Sequence, residues 1–156
     1  MTIWIPPLPA EFLERTRSRQ TDDQDQPVRR VTAEGGEPCR DVLRRARPGE
    51  ELLLASFTPF GVAGPFKEYG PVYLLANGSD EAVSRDVLPV DGYLREQFVI
   101  RAYSADEDIV NAAMTSPTDA MQVAREFFES PNVAFLHVRF PTYGCFACRV
   151  DVARVL

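Results

Sequence analysis

The segment from Val133 to Leu156 constrains this chain most, because it reads as a β-hairpin that sorts its chemistry by face. A strand FLHVRF, a PTYG turn and a strand CFACRVDV follow one another. Side chains on an extended strand point alternately to its two faces. His137 and Arg139 therefore share one face of the first strand, and Cys145, Arg149 and Asp151 one face of the second. Phe146, Cys148 and Val150 fall on the opposite, apolar side. The segment carries the only histidine and two of the three cysteines. A thiol, an imidazole and two guanidiniums are thus expected together on one side of a sheet.

The rest of the chain supplies more strands and one principal helix. Ile3 to Ile5 suits a short strand before Pro6-Pro7, and LPAEFLERTR a short helix. Residues 20–26, QTDDQDQ, have no apolar anchor and read as a mobile acidic loop. Val28 to Thr32 reads as a strand, and Pro38-Cys39 as the opening of a short helix through Leu43. ELLLASF (51–57) is a near-continuously apolar strand, followed by a long Gly/Pro loop that is a natural place for function. Val72 to Ala76 forms the next strand, and residues 79–96 stay ambiguous. In QFVIRAYS (97–104) Phe98, Ile100 and Ala102 face one way and Gln97, Arg101 and Tyr103 the other. Ile109 to Met114 returns as its hairpin partner. Ser116-Pro117-Thr118-Asp119 predicts a helix start, with Ser116 as N-cap and Pro117 in the first turn. Ala120, Val123, Ala124, Phe127 and Phe128 continue as an apolar stripe over about 117–129. The expectation is one α+β domain over 1–156, a curved, mainly antiparallel sheet of about six strands against this helix. Phe98, Ile100, Leu53, Val123, Phe127, Leu136 and Val150 should form its core.

Charge and apolar runs narrow the function classes. A formal net charge of −6 argues against nucleic acid or an anionic membrane as the main partner. Arg29, Arg30, Arg40, Arg44, Arg45 and Arg47 nevertheless make residues 29–47 locally basic, which suits a small anion or a solvated face. No apolar run reaches the length of a membrane span. The N-terminal stretch lacks the pattern of a secretory signal. Three cysteines outside a secreted framework suit free thiols in a reducing cytoplasm.

The candidate catalytic residues are Cys145, His137 and Glu68. His137 is the one side chain whose ordinary pKa lies near neutrality. Cys145 follows Gly144 at the turn, where a nearby cation favours a thiolate. Glu68 lies in the long loop, where a carboxylate beside a pocket can act as a base. The candidate ligand-binding residues are Arg101, Arg139, Arg149, Arg40, Cys39 and Tyr103. Cys39 at a helix start would have its pKa lowered by the helix dipole and by Arg40. Cys145-x-x-Cys148 has the spacing of a metal or redox motif, but residues three apart on a strand face opposite ways, so Cys148 reads as a core residue. No metal and no cofactor is expected.

These residues sit in blocks that resemble a small bacterial family, the domain of unknown function 1203. The blocks are LPAEF, PCRDVL, PGEELLLASFTPF, GPFKEYGPVYLLA, FVIRAYSADEDIV and NVAFLHVRFPTYGCFACRVD, in order along most of the chain. The resemblance implies a cytoplasmic protein of about this size and no established activity. Its polar positions fall on Cys39, Arg40, Glu68, Arg101, His137, Cys145 and Arg149; Cys148 lies outside them. Asn77-Gly-Ser-Asp departs from the pattern, and the acidic 20–26 stretch looks like an insertion. Together these readings lead to a protein that binds a small anion through an Arg/His/Cys cluster on one sheet face. The alternative is a non-catalytic protein–protein interaction module using the same face. A homodimer is compatible with either.

Overall fold

A computed structural model describes residues 1–153. In chain order they form β1 (Ile3–Trp4), α1 (Ala10–Glu14) running into a π-helical turn (Arg15–Arg19), and β2 (Arg29–Thr32). Then come β3 (Pro38–Cys39), β4 (Arg44–Arg45), β5 (Glu51–Phe57) and β6 (Gly70–Leu75). β7 (Phe98–Tyr103), β8 (Ile109–Thr115), α2 (Ala120–Glu129), β9 (Phe135–Arg139) and β10 (Phe146–Val152) complete the fold. The class is α+β. The hairpin reading extended to Leu156, and its last three residues lie outside those described.

The expected single sheet of six strands is corrected to two sheets of five among the described residues. One unit comprises Met1–Pro6, Phe60–Lys67 and the chain from Ser84; the other comprises Pro7–Pro59 and Glu68–Val83. The first holds the sheet β1-β10-β9-β7-β8 and the second the sheet β2-β5-β6-β3-β4. The short strand expected at Ile3 to Ile5 is found as β1, whereas β3 and β4, two residues each, are too short for any periodicity to reveal them.

In the second unit β5 is apolar almost throughout because it lies between β2 and β6, with Leu52, Leu53, Ala55 and Phe57 buried. Leu52 and Leu75 join Ala33, Cys39, Val42 and Ala46 in one core cluster. The helix expected from Pro38 is absent. Pro38–Cys39 instead pairs with β4, and Cys39 lies in parallel register with Tyr73 of β6. Leu43 then reverses the chain in a left-handed conformation, φ 53°, donating its N–H to the Cys39 carbonyl.

The acidic loop is tied to this unit by its own carboxylates. Asp22 is buried, and it accepts the backbone N–H groups of Gln24 (2.9 Å), Gln26 (3.3 Å) and Ser56 (3.0 Å). Asp23 accepts from the Thr58 N–H at 2.8 Å and pairs with Arg15. An aspartate can anchor a loop in place of an apolar residue, because losing it strands several buried donors. Asp22→Ala should therefore lower stability by about 1–3 kcal/mol in urea unfolding. Limited proteolysis should show new cleavage within 20–26.

In the first unit the core face was legible. Phe98, Ile100 and Ala102 of β7, Leu136 and Val138 of β9, and Cys148 and Val150 of β10 are all buried. α2 packs against β7 and β8 through Ala120, Ala124 and Phe127. Val123, expected in the core, is only half-buried. The helix also starts three residues later than expected. Residues 117–119 form a turn in which the Ser116 carbonyl accepts from both Asp119 and Ala120 N–H groups, and no side chain caps the helix.

Candidate functional site

Three antiparallel strands of the first unit align the candidate residues. Arg101 of β7 lies opposite His137 of β9, which lies opposite Arg149 of β10. Directly opposed residues share a face and stand about 5 Å apart at Cβ, so these three form a row across the sheet. Tyr103 and Phe135 lie opposite each other on the same face with rings stacked at 5.2 Å. Arg139 and Phe146 form the pair on the other side of His137.

A β-bulge determines which β10 residues reach this face. Phe146 opposes Arg139 while Cys148 opposes Val138, so Ala147 is the extra residue and the alternation slips by one. Phe146 and Arg149, three apart, therefore share the His137 face. This corrects the expectation that Cys145 shares the face of Arg149 and that Phe146 shares that of Cys148. The Phe146 ring meets the imidazole edge-on at 5.1 Å, at the register position that Ala147 would hold without the bulge. Tyr93, in the segment left ambiguous by its sequence, donates its hydroxyl to the carbonyl of Ala147 at 2.7 Å and satisfies the bulge.

His137 is completely buried, and neither ring nitrogen has a hydrogen-bond partner. Phe60, Tyr103, Phe135 and Phe146 surround it with ring centroids 5.1, 4.7, 5.2 and 5.1 Å away. Burial, reinforced by the Arg149 and Arg101 charges, pushes its pKa down to about 3. The imidazole is thus neutral at any physiological pH, with one N–H donor and one nitrogen acceptor. It is a poor general base near neutrality, since the environment that holds it neutral also opposes its protonation.

Arg149 is half-exposed, lies over the Phe135 ring at 4.0 Å, and donates from Nε to Asp151 at 2.9 Å. Arg101 is half-buried beside Tyr103, whose hydroxyl pKa is raised by burial and lowered in part by this guanidinium. Arg139 differs from both. It is buried, donates from Nη1 to the Gly144 carbonyl at 3.1 Å, and its pKa falls to about 10 through burial. It braces the hairpin turn, where Gly144 takes φ 73°.

Cys145 is half-buried at that turn, its thiol 3.7 Å from the Tyr143 carbonyl. Cys148 is buried, and burial raises its pKa to about 12. Cys39, Arg40 and Glu68 belong to the second unit. With no helix at Cys39, the expected pKa lowering is reversed: burial, with Asp41 nearby, pushes this thiol up to about 12. Arg40 is buried and donates from Nη1 to the Pro38 carbonyl at 2.7 Å. Glu68 is half-buried. Among the described residues, no three His, Cys, Asp or Glu side chains converge as a metal site requires. No described helix is long and apolar enough to cross a membrane. Sequence reasoning missed Phe60, Phe135 and Phe146 as walls of the histidine site; alternation from His137 could have found Phe135.

The chain is thus an α+β protein whose strand-registered Arg–His–Arg row is set among aromatic rings. Residues 36–152 match the model of the family described as Protein of unknown function (DUF1203), and the chain belongs to that family. No curated protein and no solved structure matches the chain.

Proposed function

We propose that this protein binds a small anion, a carboxylate or phosphate, on the face carrying Arg101, His137 and Arg149. The observation that carries this reading is the registered row itself: two half-exposed guanidiniums flank a neutral imidazole on adjacent strands. Guanidinium forks suit oxyanions because they offer two parallel charge-assisted hydrogen bonds. The neutral imidazole between them, buried beneath its ring wall, adds no third positive charge to repel the two guanidiniums. Rigid strands hold all three in place, which lowers the ordering cost of binding. Asp151 already engages Arg149, so an anion competes with that contact for the same guanidinium. Tyr103 belongs to the site as the neighbour of Arg101. Arg139 supports the turn, and Cys39 and Arg40 support the second unit's strands. A catalytic part for Cys145 and Glu68 is not needed for this reading, which is one of binding.

Isothermal titration with phosphate and with acetate at pH 7 tests it. One anion should bind per chain. Arg101→Ala and Arg149→Ala should each weaken binding by about tenfold or more, the loss of one charge-assisted hydrogen-bonding group. Anion affinity unchanged in both variants would refute the proposal.

A further inference from the structure

His137 poses a problem that anion binding on the sheet face does not by itself solve. Its two ring nitrogens are fully buried without hydrogen-bond partners, and such groups are rare in native interiors. They sit among four aromatic rings. Three of those rings, Tyr103, Phe135 and Phe146, are fixed on strands of the first unit. The fourth, Phe60, is on a segment without regular secondary structure, where Val62 and Phe66 are 49% and 40% exposed. The Glu107 carboxylate accepts the Gly61 N–H at 2.9 Å and the Val62 N–H at 3.1 Å, tying the segment to the end of the β7–β8 hairpin. Phe60 is itself buried, packs edge-on against Tyr103 at 5.4 Å and stands against the imidazole with ring centroids 5.1 Å apart.

Resting on the anion reading above, we propose that the ligand of this site is an arenecarboxylate of about benzoate size, whose ring takes the place of Phe60. The carboxylate would meet Arg101 and Arg149. The aromatic ring would lie among Tyr103, Phe135 and Phe146, where planar π-systems pack offset or edge-on. The carboxylate would also give the His137 N–H the acceptor it lacks. Phe60 is then a lid that occupies the ring slot in the empty protein, and Glu107 is its latch. A phosphate has no use for the aromatic wall, and acetate fills none of it. The aromatic acid alone uses both halves of the site.

Displacing a closed lid weakens apparent affinity by the fraction of time the lid is open. Loosening the lid should therefore tighten binding of the aromatic acid alone. The test is a titration of the full chain with benzoate and acetate, followed by calorimetry, for wild type, Phe60→Ala and Glu107→Ala. Benzoate should bind the wild type more tightly than acetate does. Its affinity should rise about tenfold in Phe60→Ala and about threefold in Glu107→Ala, the loss of a closed-lid penalty. Acetate affinity should change by less than about twofold, since acetate does not need the ring slot. If Phe60→Ala fails to fold, Glu107→Ala decides, because it leaves the aromatic wall intact. Acetate binding with benzoate no tighter in any protein, or benzoate weakened by Phe60→Ala, refutes the ring slot and leaves the anion reading standing. Binding of neither acid to any of the three proteins refutes the ring slot, and the absence of phosphate binding as well refutes the anion reading with it.

Discussion

Replacing Tyr93 by alanine is expected to cost about 3–5 kcal/mol of stability, and replacing it by phenylalanine about 1–3 kcal/mol. Tyr93 is fully buried, with its ring packed edge-on against Phe140 at 5.4 Å. Alanine removes that packing and leaves a cavity. Phenylalanine keeps the ring and removes only the hydroxyl that the Ala147 carbonyl accepts. Ala147 is the extra residue of the bulge, so its carbonyl has Tyr93 where a ladder partner would otherwise stand. A buried acceptor without a donor costs the desolvation of that group. Urea unfolding at pH 7 gives both numbers. The Tyr93→Phe variant should also perturb the face that the bulge creates, because Phe146 and Arg149 share a side only through it. Its anion affinity should fall along with its stability.

Acidification from pH 7 to pH 5 should remove about 2 kcal/mol of stability through His137 alone. The folded imidazole titrates at about 3 and an unfolded one near 6.5. Between those values the unfolded chain binds a proton that the folded chain does not. The His137 contribution is therefore fully present above about pH 6.5 and is lost progressively as pH falls towards 3. Complete loss amounts to about 5 kcal/mol at about 1.4 kcal/mol per pKa unit. Carboxylates complicate the lower end: Glu50 is held down to about 2 by its hydrogen bonds with Arg44 and the Arg47 N–H, and Asp41 is raised by burial. Both are common to wild type and variant, so the difference between wild type and His137→Phe isolates the imidazole. That difference should change by about 2 kcal/mol between pH 7 and 5 in favour of the variant, as measured by urea unfolding at each pH. A pH-independent difference would mean that His137 titrates normally in the folded state.

The parts of this fold that were legible were long and periodic. FVIRAY and FLHVRF alternate without interruption, so their core and site faces followed from residue parity alone. The Arg101 and His137 side of β7 and β9 was therefore accessible to reasoning, although their register was not. The bulge at Ala147 was hidden because alanine fits either face, and the slip that it causes moved Phe146 and Cys145 relative to the expected pattern. The second sheet was hidden for another reason. Pro38–Cys39 and Arg44–Arg45 are too short to alternate, and strand pairing is a tertiary property that no local pattern contains. The contacts of the 20–26 stretch were not legible because they are made by Asp22 and Asp23, residues whose type ordinarily signals solvent. Phe60 was read as part of a loop, and loop composition does not say which ring turns inward. Helix α2 showed its apolar stripe, but its N-terminal signal marked a turn that precedes the helix.

The most direct test of the anion site uses the fact that His137 is the only histidine in the chain. Its ring nitrogens can be observed alone by long-range proton–nitrogen NMR at pH 6 while acetate is titrated in. The nitrogen pair should show a neutral imidazole throughout and move along a saturating curve, and Arg149→Ala should shift that curve to about tenfold higher acetate or beyond. A ring that is protonated at pH 6, or whose signals stay fixed in wild type at saturating acetate, would contradict the account of Arg101, His137 and Arg149 as one binding row.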